Sequence, residues 1–206
     1  MMLMTDIHVR SFTGSGIKPY LHSIAKLRME VFKDYPYFEN PDLNHELQYL
    51  KKLASNKESI AVLIFDNTTL VGLSLGSPLE IESPALHHPF KEHHLKVESY
   101  FHFGDSALLK GYRGRGIGHH FFDAREAHVA QYKKFKHICF CVPNCSNSTP
   151  PKDFVPLNDF WRKRGYIHHP EMKCTLSWKK VGGTHPVEHP MSFWIKNLYP
   201  LNRNDK

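Results

Sequence analysis

Long apolar stretches are missing from this sequence. No run approaches the roughly 20 apolar residues that a membrane-spanning helix needs,. The opening residues, MMLMTDIHVR, are too short an apolar segment for a secretion signal, because Asp6 interrupts them early. These absences predict a cytoplasmic protein with no membrane segment.

The sequence also lacks the spacing patterns of metal sites and disulfide frameworks. It has four cysteines and 16 histidines, but no CxxC pair and no HExxH helix. Cys139 and Cys141 lie in the apolar run HICFCV, and Cys174 lies in another strand-like segment. Buried free thiols are therefore favoured over a structural metal or a disulfide, and we expect no metal site.

Acidic residues are fewer than basic ones, 20 against 27, so the chain carries a formal charge of +7. A positive balance favours anionic partners, and both nucleic acids and polyphosphate cofactors fit that description. The basic residues are scattered and form no RNP, KH or zinc-finger signature. Nucleic acid is therefore an unlikely partner.

No internal repeat or low-complexity tract divides the chain, which predicts a single domain over residues 1–206. Alternating and helical apolar patterns predict the elements. In chain order they are a strand at 7–12, a helix at 21–31, a helix entered at Asn40-Pro41, a hairpin of 59–65 and 70–76, a proline- and histidine-rich insertion at 77–96, a strand at 97–109, a helix at 116–131, a strand at 136–142, a short helix at 156–165 and a terminal antiparallel pair.

The strand–helix–strand unit between residues 97 and 142 predicts two parallel strands joined by a right-handed crossover. The hairpin before it and the strand pair after it are antiparallel. The predicted fold class is therefore α/β (α+β), with a mixed, mostly antiparallel sheet that has one central parallel crossover and is flanked by helices.

The stretch GYRGRGIG at 111–118 predicts a phosphate-binding loop at the start of the central helix. A dinucleotide fingerprint counted from Gly114 needs glycine at position 119, which is His119. A Walker loop needs a lysine after its last glycine, whereas Ile117 follows Gly116. The pattern that fits is R-x-x-G-x-G, formed by Arg113, Gly116 and Gly118.

This pattern, in this order of elements, resembles motif A of the GCN5-related N-acetyltransferase (GNAT) superfamily. DSALLKGYRGRGIG is similar to the strand-to-loop sequence of that family, and FWRKRGY to its lYxKxGF segment. The resemblance covers nearly the whole chain. It implies an acyltransferase that moves an acetyl group from acetyl-CoA to a primary amine by direct attack.

The residues and the resemblance together predict a coenzyme A site. Backbone N–H groups of a glycine turn at a helix N-terminus can cradle a pyrophosphate, and arginines add charge-assisted contacts. The resemblance implies further that backbone of the preceding strand binds the pantetheine arm and that the N–H of Leu108 polarises the thioester carbonyl. The predicted cofactor-binding residues are Ala107, Leu108, Leu109, Arg113, Gly114, Arg115, Gly116, Ile117, Gly118, His119 and Trp161.

A general base is expected because an alkylamine is mostly protonated at neutral pH. Glu98 is the first candidate, since it lies fifteen positions before Arg113, the offset of the glutamate base in the histone-acetylating branch of the family. Asp105 is the second. Either could instead bind the substrate ammonium or be an edge charge.

One residue departs from the family pattern. The family's usual general acid is the tyrosine of lYxKxGF, and the matching residue here is Trp161, whose indole supplies no proton. Trp161 is expected to pack on the pantetheine arm or in the core, and Tyr112 and Tyr166 are nearby in sequence only. The missing tyrosine leaves a non-catalytic acyl-CoA-binding regulatory protein as the alternative.

The acceptor side is less defined by the sequence. The insertion at 77–96, with Glu80 and Glu82, is the natural substrate gate. The acceptor amine, a small molecule or a protein amine, stays open. The terminal strand MSFWIKN could pair or exchange across a homodimer.

Overall fold

Seven strands run through the part of the chain that the computed structural model describes, residues 7–144, 150–152 and 154–199. They are β1 Ile7–Thr13, β2 Ile60–Asp66, β3 Thr69–Pro78, β4 Tyr100–Leu108, β5 His137–Pro143, β6 Ile167–Lys179 and β7 Pro186–Asn197. All seven join one sheet in the order β1-β2-β3-β4-β5-β7-β6. The β4–β5 pair is parallel, and the other five neighbouring pairs are antiparallel. The predicted fold class is confirmed.

Five α-helices accompany the sheet: α1 Leu21–Val31, α2 Leu43–Ser55, α3 Pro84–Glu92, α4 Ile117–Val129 and α5 Asn158–Lys163. The second begins later than the Asn40-Pro41 signal predicted, because Asp42 is its N-cap and accepts a hydrogen bond from the His45 N–H at 3.0 Å. The fourth connects β4 to β5 and is the predicted crossover helix.

The insertion at 77–96 is largely structured. Its first two residues belong to β3, a 3-10 turn follows at Leu79–Ile81, and α3 comes next. Leu79, Leu86 and Phe90 bury their side chains against the β5–β7–β6 part of the sheet. This burial explains a helix that the proline- and histidine-rich sequence did not predict.

Strand alternation gives the sheet two different faces. One face packs against α4 and α5 through a single aromatic core that includes Phe101, Phe103, Phe140 and Trp194. The opposite face carries two separate cores, one beneath α1 and α2 and one beneath α3. Polar side chains of β4 lie between these two cores.

One predicted detail is wrong. Residues Val97–Ser99 form a 3-10 turn, so β4 starts at Tyr100 rather than at 97. The terminal strand is β7, and it is paired on both sides, with β5 and with β6. β7 is therefore an interior strand of the sheet, and β6 lies at the edge. In the described ranges, no helix combines the length and apolar character needed to cross a membrane.

Candidate functional site

The central feature of the sheet is a gap between β4 and β5. The two strands pair only at Tyr100↔His137, Phe101↔Ile138 and His102↔Cys139. Beyond these positions β4 continues to Leu108 and β5 to Pro143 without pairing to each other. The backbone edge of β4 that faces β5 is therefore available to an extended ligand.

A β-bulge in β4 lies where the gap opens. Ser74 pairs with Ser106 and Gly76 with Phe103, so Gly104 and Asp105 together oppose Leu75. An extra residue of this kind bends a strand and increases its local twist. The bulge thus accounts for the departure of β4 from β5.

A buried arginine of α4 holds the bulge from the aromatic face. Arg125 is 1% exposed, and its guanidinium donates to the Leu75 carbonyl at 3.0 Å, the Gly104 carbonyl at 3.4 Å and the Ser106 hydroxyl at 3.2 Å. Two of these hydrogen bonds satisfy backbone carbonyls at the bulge.

A second buried arginine reaches the bulge from the opposite face. Arg28 of α1 contacts the Asp105 carboxylate and donates through Nε to Glu46 of α2 at 2.5 Å. Burial lowers the pKa of Arg28, but the carboxylates of Asp105 and Glu46 outweigh it and raise that pKa above its usual range. The guanidinium is therefore charged and doubly paired.

A third carboxyl group lies near this pair. Glu39, in the segment between α1 and α2, is half-buried, and burial raises its pKa to about 7, with the negative charges of Asp105 and Glu46 adding to the effect and Arg28 opposing it. We call Arg28, Glu39, Glu46 and Asp105 the carboxylate cluster. The carboxylates of Glu46 and Asp105 contact the guanidinium directly, and Glu39 interacts with these charges electrostatically.

The glycine loop lies at the other end of the gap, after β4. Gly114 and Gly116 have φ values of +75° and +78°, in the left-handed region that favours glycine. A Cβ atom at either position would meet no atom within 4 Å. Gly116 is the N-cap of α4, so the loop leads directly to the positive end of a helix.

The N–H groups of residues 114–118 form no hydrogen bond with any other described residue, whereas the next N–H, that of His119, donates to the Gly116 carbonyl at 3.0 Å. Five successive donors therefore stay available at one helix end. Arg113 is exposed and donates through Nε to the Leu108 carbonyl at 3.0 Å, which ties the loop to the end of β4.

The predicted arm-binding residues of β4 are not equivalent. The Leu109 N–H donates to the Val71 carbonyl of β3 at 3.0 Å. Because successive N–H groups of a strand point to opposite edges, that of Ala107 also faces β3, and that of Leu108 faces the gap. Of the three, only the Leu108 N–H is directed at a ligand in the gap.

The two candidate bases lie far apart. Glu98 is in the 3-10 turn before β4 and not on the strand, so its predicted placement is wrong. Glu98 lines a surface cavity of about 570 Å³ together with Lys96 and Lys136. This cavity lies at the start of β4, and the length of the strand separates it from the glycine loop by about 25 Å. Asp105 instead lies at the bulge, beside the gap, where Arg28 pairs with it.

Trp161 of α5 packs in the aromatic core, with ring centroids 5.1 Å from Phe140 and 5.2 Å from Trp194. The two tyrosines nearby in sequence, Tyr112 and Tyr166, form hydrogen bonds with other residues. The Tyr166 hydroxyl is buried and donates to Glu126 at 3.0 Å, and that of Tyr112 donates to Asp66 at 2.6 Å. Neither takes the place of the family's acid.

The insertion is fixed to β4 by a buried acid. Glu82 accepts a hydrogen bond from Ser77 and lies 3.6 Å from Nδ1 of His102. Burial raises the pKa of Glu82, but the neighbouring His102 side chain and the hydrogen bond from the Ser77 hydroxyl lower it overall. These contacts hold the predicted substrate gate against the sheet.

Sequence reasoning missed most of the carboxylate cluster and the arginine behind the bulge. Three of these charged residues lie on the inner faces of helices, where the helical pattern predicts apolar core residues: Arg28, Glu46 and Arg125. That mismatch is the only signal they give, because their partners are up to 77 residues away in the chain.

No protein-family model and no curated protein matches this sequence. Solved structures do match it over almost its whole length. A ribosomal-protein-alanine N-acetyltransferase from Brucella melitensis is 13% identical and has a TM-score of 0.61, with 93% of this chain and 99% of that one covered. An acetyltransferase of the GNAT family from Streptococcus pneumoniae is 12% identical with a TM-score of 0.58, covering 94% and 100%.

The yncA protein of Salmonella typhimurium, a proposed acetyltransferase solved with its cofactor acetyl-CoA, is 9% identical with a TM-score of 0.59, and 98% and 99% of the two chains are covered. At these identities the similarity concerns the fold. The chain therefore has the fold of the GCN5-related N-acetyltransferases, the superfamily that its glycine loop and order of elements resemble.

Proposed function

We propose that this protein is an acetyl-CoA-dependent N-acetyltransferase that transfers an acetyl group to a primary amine. The proposal depends on one observation: two features that can each bind a ligand follow one another along β4. The strand has an unpaired edge beyond His102, and the loop that follows it presents five N–H groups that bond to no described residue, at the start of α4.

The glycine loop fits a pyrophosphate. Open space around Gly114 and Gly116 lets a ligand approach the backbone, and the helix dipole contributes about 0.3–1 kcal/mol for each nearby negative charge. Arg115 is exposed and can add a charged contact, and Arg113 stabilises the loop through the Leu108 carbonyl. In this proposal Ile117, Gly118 and His119 complete the cradle as the first turn of α4.

The gap fits an extended amide-containing arm. An arm lying between β4 and β5 would add to the edge of β4 as an extra strand does. The Leu108 N–H faces the gap, where it can bind the arm or polarise a carbonyl. Trp161, through Phe140, supports the β5 side of the gap.

The acceptor would approach from the face that carries the carboxylate cluster. The negative charges of Glu46 and Asp105 there suit a cationic amine. Asp105 is paired with Arg28 and so is better suited to hold the site open and polar than to exchange protons. The amine then meets the thioester at the point where β4 and β5 separate.

A second candidate function follows from Trp161. Without a proton donor at that position, the protein could bind acyl-CoA as a regulatory module and transfer nothing. A thiol leaving group with a pKa near 8.5 needs little assistance, however, so the missing tyrosine does not prevent the reaction. Transfer is therefore the function that the site supports better. A cytoplasmic location and a homodimer stay predictions.

The proposal is tested by combining calorimetry with turnover. The protein should bind coenzyme A and acetyl-CoA, and with a panel of amines it should release free thiol and produce acceptors heavier by one acetyl group. Binding without release across a broad panel would favour the regulatory alternative. Absence of any coenzyme A binding would contradict both.

A further inference from the structure

Exposed apolar side chains from three separate segments meet beside the site. The ring centroid of Tyr35, in the segment between α1 and α2, is 4.7 Å from that of Phe154 and 5.8 Å from that of Phe38. The Val181 N–H, in the turn between β6 and β7, donates to the Phe38 carbonyl at 2.7 Å. Phe38, Phe154 and Val181 are 41%, 38% and 56% exposed. We call these four residues the aromatic surface.

The backbone of Phe38 has an unfavourable conformation. Its φ is +47°, in the left-handed region, where a residue with a Cβ atom is strained. Its N–H donates to the Asp34 carbonyl at 3.0 Å, and its carbonyl accepts from Val181, so the backbone is fixed on both sides. Core packing alone does not account for a strained residue whose ring is 41% exposed. Strain of this kind concentrates at ligand-binding positions.

The aromatic surface lies at the end of the gap where β4 and β5 finish. Asp34, the residue before Tyr35, forms an ion pair with Lys110 at 3.4 Å, and Lys110 follows directly after the end of β4 and Leu109. Phe154 belongs to the connection that leaves β5 for α5. The contact between Tyr35 and Phe154 therefore joins segments that belong to the two sides of the gap.

The carboxylate cluster is one layer of rings away from this surface. The Arg28 guanidinium is 5.0 Å from the ring centroid of Phe32, and the Phe32 ring is 5.0 Å from that of Tyr37. Phe38 follows Tyr37 in the chain, and Glu39, a member of the cluster, comes next. Negative charge and exposed apolar area are thus neighbours, which is complementary to an ammonium group attached to an apolar body.

We infer that the aromatic surface binds the apolar group of the acceptor, and that the acceptors of this protein are small primary amines with an aromatic ring a few bonds from the nitrogen. The inference rests on the proposed function and adds the class of its acceptor. Tyr35 already contacts Phe38 and Phe154 edge to face, at interplanar angles of 78° and 74°. A ring of the acceptor adds another pair of this kind and removes apolar area from water.

A small amine fits this surface better than a polypeptide. The α1–α2 segment is bonded to the β6–β7 hairpin by the Asn40 N–H, which donates to the Lys179 carbonyl at 2.7 Å, and by the Trp178 indole, which donates to the Tyr37 carbonyl at 2.9 Å. The same segment touches the β5–α5 connection at Phe154. A polypeptide that passed between these segments would have to break such contacts, whereas a single ring can lie against them.

The test compares the selectivity of the wild type with that of Phe38→Gly, Phe38→Tyr and Val9→Ser. Glycine is chosen because it adopts a positive φ without strain. Val9, on the edge strand β1, is the matched control, because it has the same exposed fraction of 41% and lies outside the site. Acetyl transfer to 2-phenylethylamine and to ethylamine is measured as kcat/KM. The ratio of the two values is taken within one protein, so a change in the folded fraction cancels.

The wild type should prefer 2-phenylethylamine by about 10- to 100-fold, the range expected for removing most of one ring from water. Phe38→Gly should lower this preference by about 3- to 10-fold, the contribution of one aromatic pair. The loss should appear in KM and not in kcat, because the bound ring is remote from the reacting atoms. Phe38→Tyr and Val9→Ser should keep the preference of the wild type.

A binding measurement that needs no turnover accompanies these rates. With each protein saturated with coenzyme A, calorimetry should show that the wild type binds 2-phenylethylamine more tightly than ethylamine. Phe38→Gly should bind 2-phenylethylamine about 3- to 10-fold more weakly. Coenzyme A itself should bind equally to all four proteins.

The outcomes separate the two proposals. A wild type that binds no coenzyme A, or that acetylates no amine of a broad panel, contradicts the proposed function. A wild type that acetylates both amines equally, or a Phe38→Gly protein with unchanged preference, overturns the role of the aromatic surface alone. Acetylation of a peptide with an N-terminal phenylalanine but not of 2-phenylethylamine also overturns it. The same holds if Phe38→Gly converts a dimer into a monomer in sedimentation and keeps the wild-type preference, since the surface would then pair two copies of the chain.

Discussion

Replacing Gly116 with alanine is the sharpest test of the glycine loop. The residue has a φ of +78°, and an L-residue in that region costs about 1–2 kcal/mol because its Cβ approaches the following carbonyl oxygen. No other atom lies within 4 Å of the added Cβ, so no packing clash is added. For a chain of this length, that cost corresponds to a decrease in Tm of about 2–8 °C if the loop keeps its conformation.

If the loop instead escapes the strain by turning a peptide over, its N–H groups no longer converge. Losing one hydrogen bond to a charged phosphate costs about 1.5–3 kcal/mol, which corresponds to coenzyme A binding about 10- to 150-fold weaker. Either the stability or the affinity must therefore fall, and together the two losses should amount to at least about 1 kcal/mol.

The assay is calorimetric titration with coenzyme A, paired with thermal unfolding of the ligand-free protein. Gly111→Ala is the matched control, because Gly111 lies in the same loop, has no positive φ and would also place its Cβ in open space. The control should behave like the wild type in both measurements. A Gly116→Ala protein that matches the wild type in both Tm and coenzyme A affinity would contradict this reasoning.

Three further changes are predicted. Burial raises the folded-state pKa of Glu39 to about 7 from its usual 4.5. The folded protein therefore keeps a proton that the unfolded chain releases between these values, and wild-type stability should decrease as pH rises through this window. Glu39→Gln should remove about 1–2 kcal/mol of that decrease after screening by solvent, measured by urea unfolding at pH 5 and pH 8. Arg125→Lys should destabilise the fold by about 1–3 kcal/mol and lower kcat, because one ammonium group cannot donate to the Leu75 and Gly104 carbonyls and the Ser106 hydroxyl together. An unchanged urea midpoint and unchanged turnover would contradict this prediction. Trp161→Phe should cost about 1 kcal/mol of aromatic packing and leave the pH profile of kcat unchanged, and a new alkaline limb in that profile would indicate that the indole takes part in the chemistry.

The parts of the fold that follow from local pattern were predictable from the sequence. Alternation in β1 and the apolar runs of β2, β3 and β5 were enough, and the glycines at 114 and 116 indicated the loop because only a small residue adopts their backbone conformation easily. The start of β4 was not predictable in this way. Ser99 donates through its hydroxyl and its N–H to the Lys96 carbonyl, at 2.7 and 3.0 Å, and this local turn competes with a strand-like sequence.

The functional site was only half predictable, for a different reason. The phosphate loop is contiguous, so its residue types and spacing can be recognised together. The carboxylate cluster is assembled by the fold: Arg28 is separated from Glu46 by 18 positions and from Asp105 by 77. Nothing in the sequence indicates that these charges meet, and Glu98, chosen as a candidate base by its offset from Arg113, lies in the turn before the strand.

The two buried arginines give the bulge in β4 a consequence for the proposed function. Arg125 holds Gly104 and Ser106 from the side of α4, and Arg28 holds Asp105 from the side of α1 and α2. A backbone fixed from both faces cannot move in response to a charge that forms nearby. Any hydrogen-bond donor on this stretch is therefore oriented before a reaction begins, which is the condition for strong electrostatic stabilisation of a transition state. The same rigidity sets the distance between the gap and the carboxylate cluster. Under the proposed function, an amine bound at the cluster would therefore meet the carbonyl at a separation that the protein, and not the ligand, determines.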